Sequence, residues 1–122
     1  MDATETVTAY GESWNEPDEA RRRQLLESAW ADDGSYCDPT ASVSGREALL
    51  SHIAGFREMF PGARIEPTSG VEEHNGWARF AWAMVDGSGA TTIEGFDVCE
   101  LAADGRLQRI VGFFGPFPPK PE

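Results

Sequence analysis

Apolar positions recur along this chain first at the period of a helix and later at that of a strand. Val7, Tyr10 and Trp14, at i, i+3 and i+7, predict a helix from about Thr4 to Trp14 that ends at Asn15-Glu16-Pro17-Asp18. Asn15 is expected to cap a second helix, with Asp18 three residues on and Pro17 tolerated in the first turn. Leu25, Leu26, Ala29 and Trp30 form its buried stripe, and Asp32-Asp33-Gly34 stops it. A short extended piece, Ser35-Tyr36-Cys37-Asp38, is closed by Pro39. Val43-Ser44-Gly45 then leads into a third helix carrying Leu49, His52, Ile53, Phe56, Met59 and Phe60, terminated by Pro61-Gly62.

Beyond this point the period drops to two, with strands expected near Arg64 to His74, Trp77 to Val85, Thr91 to Leu101 and Leu107 to Phe114. Asn75-Gly76, Asp86-Gly87-Ser88-Gly89 and Asp104-Gly105 are turn signals that join them as an antiparallel meander. Helices first and strands later define an α+β fold, a curved, mainly antiparallel sheet packed on three N-terminal helices. The last eight residues hold four of the eight prolines and read as an extended tail. That tail is either a frayed terminus or a segment whose Phe117 folds over a pocket mouth or onto a partner subunit.

Composition narrows the function. At 122 residues the chain is one domain, residues 1–115 followed by the tail 116–122, so separate cofactor and substrate lobes are excluded. Ten Lys and Arg against 21 Asp and Glu leave a net charge of −11, which repels phosphate backbones and anionic headgroups, so neither nucleic acid nor a membrane surface is an expected partner. No apolar stretch approaches the ~20 residues needed to cross a bilayer, and the acidic N-terminus lacks a basic n-region; a cytoplasmic protein is expected. Two cysteines, Cys37 and Cys99, make neither a disulfide framework nor a zinc site. With two histidines, no HExxH, no GxSxG elbow and no phosphate or dinucleotide fingerprint, neither a metal nor a cofactor is expected.

Strand alternation points to candidate chemistry. Ile93, Gly95, Asp97, Cys99 and Leu101 share one face, apolar except for Asp97. Such a carboxyl group must be paired, hydrogen-bonded or held neutral, so Asp97 is either a structural acceptor or an acid of raised pKa. Tyr36 and Asp38 share a face of the first strand, although Asp38-Pro39 is also a turn starter; Cys37 points away, which disfavours a Cys37–Cys99 disulfide. His52 lies on or beside the apolar stripe of the third helix, as a core residue or a proton carrier, whereas His74 stands at a hairpin as surface decoration. Arg21-Arg22-Arg23 reads as a solvated helix face. Phe80, Trp82 and Met84 occupy one strand face and Ala81, Ala83 and Val85 the other, so both faces want cover, and the outer one suggests a homodimer.

The assembled pattern resembles the nuclear transport factor 2-like superfamily, in particular its SnoaL-like polyketide cyclases and ketosteroid isomerases. Carrying the resemblance are Trp14-Asn15, Ala31-Asp32-Asp33-Gly34, Tyr36-x-Asp38-Pro39, Gly45-Arg46-Glu47-Ala48 and Gly112-Phe113-Phe114-Gly115, over about residues 4 to 115. It implies a cone-like α+β barrel, usually dimeric, enclosing one deep apolar pocket. The general-base aspartate of the isomerases falls on Asp38, and their protonated aspartic acid on Asp97. Their oxyanion tyrosine falls on Trp14, which leaves Tyr10 and Tyr36 as substitutes. The arginine that the family's epoxide hydrolases need has only Arg79 as a candidate, opposite Trp82, and that chemistry is disfavoured. The resemblance therefore implies a cofactor-free enzyme moving protons on a small apolar carbonyl compound. Its catalytic residues would be Asp38, Asp97 and His52, with a pocket of Tyr10, Trp14, Tyr36, Phe56, Phe60, Trp82, Met84, Cys99 and Phe113. The alternative is a non-catalytic ligand-binding or structural dimer of the same fold.

Overall fold

The computed structural model describes residues 1–122. Helix α1, Ala3–Asn15, starts with a capping box in which the Asp2 side chain accepts from the Glu5 N–H and Glu5 reaches back to the Asp2 N–H. Helix α2, Glu19–Ala29, is capped by Asp18 and not by Asn15. Asn15 closes α1 instead. Its amide donates to the Ile65 carbonyl and its Oδ1 accepts from the Ile65 N–H, both at 2.8 Å, which ties the helix end to the sheet.

Strand β1, Trp30–Asp38, begins directly where α2 ends. Trp30, expected on the helix stripe, is extended and fully buried, and Asp32-Asp33-Gly34 lies inside the strand at an irregularity in its pairing. The correction has a packing cause: a Cβ at Gly34 would stand 2.8 Å from the Trp30 indole, so only glycine lets the strand pass over that ring. Strand β2, Ala41–Ser44, pairs back on β1 as a short hairpin, and helix α3 follows over Arg46–Met59.

The strand expected from Arg64 to His74 is two: β3, Arg64–Pro67, and β4, Glu72–His74, both antiparallel to β5, Trp77–Val85. Pro67 has no N–H for a ladder, the chain breaks after it, and the Ser69 hydroxyl takes up the Ala81 N–H at 2.8 Å. Strands β6, Thr91–Leu101, and β7, Leu107–Phe114, complete the predicted meander with β5. β1 then joins β7 in parallel, giving a mixed, unclosed sheet of order β2-β1-β7-β6-β5-β3. The fold is thus the expected α+β cone.

Its core lies between the inner sheet face and the helices, where Leu26, Ala29, Trp30, Leu49, Ile53, Cys99, Leu107 and Ile110 are completely buried. The arginine run is not uniformly solvated. Arg22 is buried and donates to the Glu16 carbonyl through Nε at 3.1 Å and Nη2 at 2.9 Å, satisfying the end of α1, while Arg23 pairs with Glu47 of α3. The tail, residues 116–122, forms no helix or strand and is exposed, with Phe117 6.4 Å from Phe96 on the outer sheet face, away from the helices. No helix is long and apolar enough to cross a membrane.

Candidate active site

A cavity of about 940 Å³ opens between α1, α3 and the inner face of the sheet. Ten of the residues singled out from the sequence reach it: Tyr10 and Trp14 from α1, Tyr36 and Asp38 from β1, His52 and Phe56 from α3 and Phe60 just past its end, Trp82 and Met84 from β5, and Asp97 from β6. Two do not. Cys99, on the same face as Asp97, is fully buried in the packed core, and burial pushes its thiol pKa upward. Phe113 points outward, half exposed, and stacks on Phe96 at 5.5 Å. Alternation along β7 explains this correction, since Ile110, Gly112 and Phe114 share the inner face and Phe114 takes the place assigned to Phe113. Both cysteines are free.

Asp38 ends β1, where the turn to β2 aims donors back at it. Its Oδ1 accepts from the Thr40 N–H and hydroxyl, both at 2.7 Å, and from the Ala41 N–H at 3.0 Å, while its Oδ2 accepts from the Tyr36 hydroxyl. Burial by itself would raise its pKa; the hydrogen bonds from Tyr36 and Thr40 outweigh it and hold the carboxyl below its ordinary value. Three donors saturate Oδ1, so a further proton can only arrive at Oδ2. Thr40 has no signal in the sequence, because its role comes from the turn that brings its N–H and hydroxyl back onto Asp38.

Asp97 is the opposite case. It is 5% exposed, and burial pushes its pKa up to about 7, against the hydrogen bond from Trp82 and with help from the Asp38 charge. The strand between the two aspartates is β7, and the residue between them is Gly112, paired with Asp97 and one register step beyond the Cys37–Val111 pair. A Cβ on Gly112 would lie 2.8 Å from Asp97 Oδ1 and 3.5 Å from Asp38 Cβ. The two aspartate side chains therefore flank a single glycine, with backbones roughly 10 Å apart by strand spacing.

Tyr10 is almost fully buried, and burial first, then Tyr36 and Asp97, raises its pKa, so its hydroxyl stays a donor. Tyr10 lines the cavity beside Trp14, whose side chain hydrogen-bonds to it and works against that rise. Tyr36 likewise keeps its proton, through burial and then through its bond to Asp38. His52 is held by rings, edge-on to Trp14 at 5.7 Å and 5.5 Å from Tyr36, and its field helps to lower the pKa of Asp38. No three His, Cys, Asp or Glu side chains converge where a metal ion could be held.

A curved mixed sheet packed on three helices defines the class of fold, and sequence comparison agrees with it. Residues 7–110 match the SnoaL-like domain model, and the chain belongs to the SnoaL-like family. A SnoaL-like protein from Agrobacterium tumefaciens, provisionally named an isomerase, is 32% identical over 92% of this chain and 96% of its own, with a TM-score of 0.87. A Jannaschia protein provisionally named a SnoaL-like polyketide cyclase is 18% identical over 92% of this chain and 84% of its own, with a TM-score of 0.73. A nuclear transport factor 2-like protein of unknown function from an Exiguobacterium species is 17% identical over 92% and 99%, with a TM-score of 0.74. The last two share the fold alone. No curated protein matches the chain.

Proposed function

We propose that the protein is a cofactor-free enzyme that moves a proton on a small apolar carbonyl compound, by isomerisation or aldol-type ring closure. The observation that carries this reading is the opposed state of Asp38 and Asp97 across Gly112, an ionised base beside a carboxylic acid that stays protonated up to about pH 7. Asp38 Oδ2 takes a proton from the carbon next to the carbonyl, and the electron pair left behind moves onto the carbonyl oxygen. The Asp97 carboxyl and the Tyr10 hydroxyl donate to that oxygen as its charge grows. Asp38 then returns the proton at another carbon, or the enolate attacks a second carbonyl, whose oxygen takes the proton back from Asp38. His52, packed on Tyr36, favours the ionised form of this base through its field at Asp38. The aromatic wall of Trp14, Phe56, Phe80 and Trp82 excludes water.

The test is incorporation of deuterium from solvent next to the carbonyl of uncharged cyclic ketones, followed by NMR. Asp38→Asn is expected to slow exchange about 10²- to 10⁴-fold. A variant exchanging as fast as the parent removes the base. One observation favours a binding-only role instead: four donors already stabilise the Asp38 anion. Ketone binding with no exchange in the parent would select that reading.

The working form is a homodimer through the outer sheet face, where Phe113, 51% exposed, stacks on Phe96, whose ring Phe117 also approaches.

A further inference from the structure

Trp82 sits on β5 with its backbone paired to Gly95 of β6, and its indole crosses that strand to reach Asp97. The crossing depends on the glycine. A Cβ at Gly95 would stand 2.5 Å from Trp82 Cζ2 and 2.9 Å from its Cε2, both in the indole ring. Phe114 of β7 braces the indole edge-on at 5.6 Å. From this seat Trp82 Nε1 donates to Asp97 Oδ1 at 3.0 Å, the same oxygen that stands over Gly112.

A neutral carboxyl group has one carbonyl oxygen and one hydroxyl, and an N–H donor can only be accepted by the former without competing with the latter. With Oδ1 committed to the indole, Oδ2 is left to carry the proton. We propose that Trp82 is a positioning residue for Asp97: seated on Gly95, its indole N–H fixes Oδ1 as the acceptor and so turns the Oδ2 hydroxyl toward a guest in the cavity. The proposal rests on the proton-transfer reading for its purpose, but the coupling it asserts is a property of the free protein.

The charge that reaches Asp97 is that of Asp38 of β1, while Asp97 in turn acts on Tyr10 of α1, Tyr36 of β1 and Cys99 of β6; His52 of α3 lines the same cavity and acts on Asp38. Tyr10, Tyr36 and Cys99 all have raised pKa values and so stay neutral across the window in which Asp97 titrates.

Two measurements on the full chain, without any substrate, test the inference. In infrared spectra, the protonated carboxyl band that Asp97→Asn abolishes is expected to move to higher frequency in Trp82→Phe, because its carbonyl oxygen has lost a donor. The titration midpoint of that band is expected to rise by roughly half a unit to one unit. In the parent, one of the four tryptophan indole N–H resonances is expected to titrate with the same midpoint, and to stop doing so in Asp97→Asn. The second measurement stands even where Trp82→Phe fails to fold. An unmoved band and midpoint in folded Trp82→Phe, or no indole resonance that follows Asp97, overturns the proposal. Neither outcome depends on turnover, so loss of the proton-transfer reading would register separately, as absent deuterium exchange with the Trp82–Asp97 coupling intact.

Discussion

Asp38 and Asp97 stand on either side of Gly112, which has room for both only because it carries no side chain. Gly112→Ala would put a methyl group 2.8 Å from Asp97 Oδ1. The expected outcome is a loss of about 1–3 kcal/mol in urea unfolding, as for an overpacked core, together with slower ketone exchange. Unchanged stability and exchange would mean that the two carboxyl groups are not set by this strand.

Burial of Asp97 has a thermodynamic sign. Its pKa is raised from 3.8 to about 7, so between those values the folded chain holds a proton that the unfolded chain releases. Stability from this group is complete below pH 3.8 and declines as pH rises to about 7, by about 1.4 kcal/mol per unit and on the order of 4 kcal/mol in all. Asp38, with its lowered pKa, contributes in the other direction: its stabilisation is present above the ordinary carboxylate pKa and is lost as pH falls below it. Denaturant unfolding at pH 5 and pH 8 is expected to show that Asp97→Asn flattens the decline of the parent.

Tyr36 is one of the donors that offset the burial of Asp38. Tyr36→Phe is therefore expected to raise the pKa of Asp38 by roughly half a unit to one unit and to move the acid limb of the kcat/KM profile upward by the same amount. A limb that stays where it is assigns the profile to another group.

Asn15 holds both backbone groups of Ile65, on the strand that forms one rim of the cavity. Asn15→Ala leaves that N–H and carbonyl without partners and is expected to lower stability by about 1–3 kcal/mol, with faster amide exchange confined to β3. Protection lost evenly over the whole sheet would assign Asn15 a role in the global fold.

The paired rings of Phe96 and Phe113 predict the assembly state. Light scattering at micromolar concentration is expected to give twice the chain mass for the parent, and the chain mass for Phe113→Glu, since a carboxylate cannot be buried unpaired against an apolar face. A parent of single-chain mass removes the dimer.

Local chemistry was enough to read most of the architecture. The 3.6-residue period marked α1 and α3, and the period of two, cut by Asn75-Gly76 and Asp104-Gly105, placed β5, β6 and β7. Alternation alone put Asp97 among apolar neighbours and Tyr36 on the side of Asp38. What the sequence could not carry were relations made across the sheet. Trp30 suits a helix stripe as well as a strand, and only its packing over Gly34 decides between them. Cys99 shares the face of Asp97, yet core packing and not face determines which residue of a strand meets the cavity. The parallel junction of β1 and β7 sets Gly112 between two aspartates that lie 59 positions apart in the chain, and Gly95 gives the Trp82 indole its path to Asp97. A glycine has no side chain for a pattern to register, so the space it leaves is visible only once its neighbours are in place.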